Sequence, residues 1–237
     1  MKVQILFNNE TINKEFSRGW GFSCLVDSRV LFDTGENPKY LFNNMGIMDI
    51  DISGIEAVVI SHDHWDHRGG LWELLNKRKQ LKVYACIHFS REFKEKVRKL
   101  EGELIEADRF IEVSKDIFIT GEISGEYQRQ HIAEQALVVR TENGLSVITG
   151  CAHPGIVKML EEVKKKFPKE QIYSVFGGFH LMDKNRRAIE IVVERFKEMQ
   201  VKKAGPTHCS GKEAEKIFEE KYGINFISVK AGETLDV

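Results

Sequence analysis

Apolar residues recur at two periods along this chain, and the periods alternate in a regular order. The stretch Lys2-Val3-Gln4-Ile5-Leu6-Phe7 reads as a strand. Segments 21–27 and 29–33 flank a tight turn and read as a hairpin that ends in Asp33-Thr34-Gly35. A short helix is expected after Pro38, over 39–45, stopping at Gly46. The β-branched run Ala57-Val58-Val59-Ile60 is a strand, followed by a helix through Leu71, Trp72, Leu74 and Leu75. Segment 82–86 is a strand. A helix opens at Ser90, with Phe89, Phe93, Val97 and Leu100 on one face. Short strands with turns fill 104–120, and segments 135–140 and 145–149 surround the hairpin signal Glu142-Asn143-Gly144.

After Gly150 the pattern becomes alternating helix and strand. Ile156, Met159, Leu160 and Val163 mark one helix, and Ala188, Ile189, Val192, Val193 and Phe196 another. Segment 171–176 is a strand, a further strand runs from Val201 to His208, and Ile217 and Phe218 sit on a last helix. A final strand is expected over 225–229. Each half is therefore β-rich and then helical. Two sheets packed face to face, with helices on both outer sides, accommodate that order: an α/β (α+β) sandwich in four layers. No glycine-, serine- or proline-rich linker interrupts the 237 residues, so 1–237 reads as one domain.

Composition narrows the partners. Lysine and arginine number 35 against 36 acidic residues, a net charge of -1, and the basic clusters alternate with glutamates at helical spacing. Nucleic acid is not expected, because neutralising phosphates requires a net basic surface. No apolar run has the length of a membrane span, and the N-terminal apolar run is too short for a signal segment. A cytoplasmic location is the expectation. The four cysteines (Cys24, Cys86, Cys151, Cys209) form no CxxC pair, which suits a reducing compartment.

The chemistry concentrates where the strand ending at Ile60 stops. His62-Asp63-His64-Trp65-Asp66-His67 holds three imidazoles and two carboxylates in six residues. Side chains at i and i+2 of an extended segment point the same way, so His62 and His64 can share one metal. Asp66 and His67 lie in the expected first turn of a helix and can reach a second, and Gly69 and Gly70 let that helix approach closely.

Three later segments repeat one form, an apolar strand, small residues and then a histidine: they end at His153, His180 and His208. Strand ends fix ligand positions better than loop middles. His153 and His208 read as metal ligands, and His180 as either a ligand or a proton donor. Cys151 can bind or bridge metals as a soft thiolate, or can merely pack against the cluster. Cys209 should alternate away from His208 and be structural. His88, between Ile87 and Phe89, reads as a packing or capping residue, and His131 as an exposed residue or a substrate contact. Asp33, Glu134 and Gln135 are candidates to orient ligand rings through hydrogen bonds. Trp65, Arg68, Tyr127 and Arg129 are candidates to line a pocket for a flat or anionic substrate.

The motif His62-x-His64-x-Asp66-His67, with the upstream Leu31-Phe32-Asp33-Thr34-Gly35, resembles the metallo-β-lactamase superfamily over essentially the whole chain. The stretches His64–Leu71, Glu134–Leu137, Thr149–Val157, Gly177–Leu181 and Pro206–Gly211 resemble one branch more narrowly. That branch is the 7,8-dihydropterin-6-ylmethyl-4-(β-D-ribofuranosyl)aminobenzene 5′-phosphate synthases of methanopterin synthesis. The resemblance implies an αββα sandwich with a dinuclear site along one edge. His62, His64 and His153 would hold one divalent ion, and Asp66, His67 and His208 the other, with Zn²⁺ favoured over Mn²⁺ or Fe²⁺. Cys151 stands where the superfamily usually carries a bridging aspartate.

A metal-dependent hydrolase of a small, anionic phosphate or ester is the expected function, with Asp66 and His180 as catalytic groups. A condensing transferase acting on a pterin diphosphate is the alternative. A non-catalytic metal-bearing sensor would instead show a closed site without a pocket.

Overall fold

The computed structural model describes residues 1–237. Fifteen strands form two large sheets and one small hairpin. The first sheet contains β1 (Lys2–Phe7), β2 (Ser23–Val26), β3 (Val30–Phe32), β4 (Ala57–Val59), β5 (Lys82–Cys86) and β6 (Glu103–Ala107). They lie side by side in chain order, with the last strand of the chain, Thr234–Asp236, outside β1. The second sheet contains β7 (Ile111–Ser114), β8 (Ile117–Ile119), β11 (Leu137–Thr141), β12 (Gly144–Thr149), β13 (Ile172–Gly178) and β14 (Lys203–Thr207), ordered β14-β13-β12-β11-β8-β7. Between β8 and β11 the strands β9 (Ile123–Tyr127) and β10 (Gln130–Glu134) pair only with each other.

Period-two alternation builds the layers directly. In β4, Ala57 and Val59 face the second sheet while Val58 faces the helices; in β11, Leu137 and Val139 face inward and Val138 outward. One cluster of 19 buried residues, including Ile5, Phe32, Leu137, Ile148 and Phe176, lies between the sheets. Outside the first sheet pack α1 (Pro38–Ile47), α3 (Leu71–Lys77) and α4 (Arg91–Lys99), through Leu41, Leu74, Phe93 and Val97. Outside the second pack α5 (Ile156–Lys166), α6 (Arg186–Glu198) and α7 (Lys212–Tyr222), through Met159, Val193 and Phe218. The chain is thus a four-layer αββα sandwich.

Several local expectations need correction. Helix α1 continues through Gly46 to Ile47, because Met48 caps it on the carbonyls of Asn44 and Gly46. Segment 225–229 is not a strand: only Phe226 makes a β-bridge, to Ala204. The closing strand is β15 (Thr234–Asp236), antiparallel to β1. The β9–β10 hairpin was not expected at all. Its turn residues Gln128 and Arg129 have φ of 49° and 64°, a conformation usually signalled by Asn or Gly.

The fold fixes the site through strand direction. β3, β4 and β5 are parallel to one another, and so are β12, β13 and β14. Every one of these strands therefore ends on a common edge, where parallel sheets typically present ligand-binding residues.

Candidate metal centre

Asp33 follows β3, His62 follows β4, Cys151 and His153 follow β12, His180 follows β13 and His208 follows β14. Asp33, Ala152, His180 and His208 all have φ between 53° and 63°. Non-glycine residues in that left-handed region are held there only by surrounding structure, and they concentrate at functional sites. The short helix α2 (Trp65–Arg68) turns Asp66 and His67 back toward the strand ends. Gly69 permits this packing, since a Cβ there would overlap the carbonyl of Glu36.

Carboxylates set the ring tautomers. Asp33 accepts from His67 Nδ1 at 2.7 Å, and from the backbone N–H and the hydroxyl of Ser61, both at 2.7 Å. With its proton committed to Asp33, the Ser61 hydroxyl accepts from His62 Nδ1 at 2.9 Å. Glu134 takes His153 Nδ1 at 2.9 Å and three backbone N–H groups, from Cys151, Ala152 and His153. Asn9 Oδ1 accepts from His208 Nδ1 at 3.1 Å. Each of these rings commits Nδ1 to its oxygen partner, so each turns Nε2 toward the interior of the cluster.

Those nitrogens converge. His62 Nε2 faces His64 Nδ1 at 3.1 Å, a contact that either a proton on His64 Nδ1 or a shared cation satisfies. His67 Nε2 lies 3.3 Å from Cys151 Sγ and 3.5 Å from Asp66 Oδ2. His208 Nε2 is 3.4 Å from the same Asp66 oxygen, yet it is buried without a hydrogen-bond partner. Buried polar atoms are almost always paired, so an orphan aimed at carboxylate and thiol groups marks a missing electrophile. Donor atoms within 4.8 Å of one another group as His62, His64 and His153; as His62, His67 and Cys151; as Asp66, His67 and His208; and as Cys151, His208 and Cys209. These donor groups suit divalent cations.

The electrostatics divide the rings: His62 and His64 are held neutral, whereas His67 holds a second proton that a bound cation would displace. Burial, helped by the neighbouring rings, lowers the His62 pKa well below its usual value and brings His64 down to about 4. Both rings are therefore neutral and ready to ligate at pH 7. Burial would raise the Glu134 carboxyl, but the His153 hydrogen bond and backbone donors hold it at about 2. Burial likewise opposes charge on His67, but Asp33 and then Asp66 raise its pKa well above the ordinary imidazole range.

Not every candidate lies in the cluster. His180 belongs to none of the four donor groups; its ring sits 4.6 Å from that of His153 at the cavity wall. Cys209 does reach the cluster, contrary to the alternation argument. Residues His208–Ser210 form a 3₁₀ turn rather than an extended strand, so successive side chains do not point to opposite faces. Gln135 bonds the carbonyls of Ile60 and Tyr84 and orients no ligand. His88 is exposed rather than packed and pairs with Glu122 at 2.6 Å. Asn9, which the sequence did not single out, holds His208 from nearly two hundred residues away, and no local pattern announces such a contact.

A cavity of about 260 Å³ opens over the cluster, walled by Trp20, Trp65 and Tyr127 with His180 at its edge. Trp65 is 59% exposed and Tyr127 38% exposed. Arg68 does not join them, since it pairs with Asp63 and lies over the Trp72 ring.

An αββα sandwich with histidines and carboxylates gathered at the strand ends defines a class of metal-dependent proteins. The chain belongs to the metallo-beta-lactamase superfamily, whose family model matches residues 24–142. Among its relatives is the 7,8-dihydropterin-6-methyl-4-(beta-D-ribofuranosyl)-aminobenzene-5′-phosphate synthase of Methanocaldococcus jannaschii, 29% identical over 94% of this chain and 92% of that protein. An uncharacterized protein of the same archaeon is 31% identical over 88% of this chain and 90% of its own length. The crystal structure of Tm1679, a metal-dependent hydrolase of the beta-lactamase superfamily, matches with a TM-score of 0.83 and 32% identity, covering 100% of this chain and 99% of that one.

Proposed function

We propose that this chain is a metal-dependent hydrolase that opens a phosphate or ester bond in a small anionic molecule. The observation that carries the reading is the set of imidazoles with Nδ1 committed to a carboxylate, hydroxyl or amide oxygen and Nε2 directed into one donor cluster, over which a cavity lined by His153 and His208 opens. Zn²⁺, Mn²⁺ or Fe²⁺ at His62, His64 and His153, and at Asp66, His67, His208 and Cys151, would supply Lewis acidity toward a phosphoryl or ester oxygen and lower the pKa of water.

The side chains divide the remaining work. Asp66 presents Oδ2 between His67 and His208, where it orients an attacking water. Its neighbours His208 and His67 outweigh burial and hold its pKa below the usual carboxylate range, so it stays ionised. His180 donates to the leaving group. Its hydrogen bond with Cys209 raises its pKa, so the ring holds a proton nearer neutral pH than a free imidazole does. Trp20, Trp65 and Tyr127 cover the substrate and limit water. An open cavity is the opposite of the sealed site that a purely structural or sensing metal would need.

A second reading draws on the synthase of M. jannaschii, which matches nearly the full length. In it, an arylamine phosphate attacks the methylene carbon of a pterin diphosphate and diphosphate leaves. One experiment separates the two. The metal-loaded protein is offered phosphodiesters, phosphomonoesters and lactones, and separately the pterin diphosphate with the arylamine phosphate. Hydrolysis in the first set supports the main reading. Condensation alone favours the second, and bound metal with no turnover on any substrate counts against both.

A further inference from the structure

Two thiols meet beneath the cavity. Cys151 comes from the end of β12, and Cys209 from the 3₁₀ turn after β14. With His208 they form one of the four donor groups, all three ligand atoms lying within 4.8 Å of one another. Both cysteines are buried and unpaired by disulfide. The Cys209 sulfur makes a weak S–H···O contact to the Cys151 carbonyl at 3.6 Å and also neighbours the Cys151 thiol and the His180 ring.

Two further features show that the turn is shaped around this sulfur. A Cβ at Gly178 would meet Cys209 Sγ at 2.7 Å as well as the Gly150 carbonyl, so this glycine at the end of β13 leaves space for both the neighbouring strand and the sulfur. His208, at φ 53°, holds the backbone bend that swings Cys209 back under the strands. The buried, unpartnered His208 Nε2 lies in the same donor group. A structural thiol needs neither a bend in the adjacent residue nor an orphan imidazole beside it.

We propose that Cys209 is itself a metal ligand, so that Cys151, Cys209 and His208 give the second cation position a face of two thiolates and one imidazole. Soft sulfur donors select Zn²⁺ and other thiophilic ions over Mn²⁺ or Mg²⁺, which prefer oxygen. The inference rests on the metal-centre reading above and sharpens it: at this position the chain is built for a thiophilic ion. Binding would release the thiol protons to solvent, and no oxidant or reductant is required.

Cadmium-113 NMR tests this on the intact protein, because the resonance moves to lower field with each thiolate ligand. The full-length wild-type protein, reduced and loaded with Cd²⁺, should give one resonance at the low field of a two-thiolate site. Cys209→Ser should move that resonance upfield to a one-thiolate position while cadmium stays bound. A wild-type spectrum with no more than one thiolate per cadmium would overturn the proposal and leave the histidine–aspartate centre standing. So would a Cys209→Ser resonance that does not move. No retained cadmium at all would instead remove the metal centre itself. Should Cys209→Ser fail to fold, the wild-type resonance alone decides.

Discussion

The smallest unit of this site is a ring with its proton pinned. His153 is useful as a ligand because Glu134 fixes which nitrogen faces inward, and Glu134 is itself held by three backbone N–H groups. Replacing Glu134 by Gln keeps the shape but offers an amide where the ring needs a carboxylate. Metal affinity is expected to fall about 10–100-fold, measured by competition with a chromogenic chelator while circular dichroism confirms the fold. His180→Gln should behave differently. Turnover should drop by about 10²–10⁴-fold, the usual scale for general acid–base catalysis, with metal content unchanged. Loss of metal from that variant would assign His180 to the ligand shell instead. At this scale the ligand candidates His62, His64, Asp66, His67, His153 and His208 could be found in the sequence, because spacing and strand ends are local patterns. The residues that orient them were less visible. Asp33 and Glu134 stood out only as candidates, and Asn9 not at all, because its contact with His208 exists only once both sheets are assembled.

Among the elements, the β9–β10 hairpin is the one that belongs to neither sheet. Its last residue before the turn, Tyr127, sets its ring 5.0 Å from His64 and 5.1 Å from His153, and so roofs the ligand cluster. Tyr127→Ala should raise KM by roughly three- to tenfold, the scale of an aromatic contact worth about 0.5–1.5 kcal/mol, and leave metal stoichiometry alone. Steady-state kinetics on whichever substrate turns over reads this, and an unchanged KM would remove Tyr127 from substrate contact. The hairpin escaped the sequence because Gln128 and Arg129 carry its left-handed turn without Asn or Gly. The opposite error placed a strand at 225–229, where an apolar run crosses the edge of β14 with a single bridge. Central strands with a partner on each side, such as β4 and β12, were legible because burial on both faces leaves a short, mostly apolar, β-branched run.

At the scale of the molecule, the sandwich brings two halves of the site together, and their charges couple stability to pH. His62 and His64 are held neutral by burial, with His64 at about 4 against an unfolded value near ~6.5. Their folded pKa values are depressed, so unfolding takes up protons below pH ~6.5, and stability is lost as pH falls from there toward about 4. His67 has the opposite sign. Its raised pKa contributes stability that is complete below pH ~6.5 and lost as pH rises through the folded value. Calorimetric melting of the metal-stripped protein should therefore peak near pH ~6.5 and decline on both sides, whereas a flat profile from about pH 5 to 8 would contradict these assignments. The layer order was legible before the structure because three apolar clusters map onto alternating positions of the strands and single faces of the helices.

A dinuclear centre is tested by the zinc stoichiometry of the stripped and reloaded protein, measured by mass spectrometry of the metal after gel filtration. Two ions per chain are predicted, falling to one in His153→Ala because the second group keeps its own ligands. One ion or none in the wild-type protein would contradict a dinuclear centre.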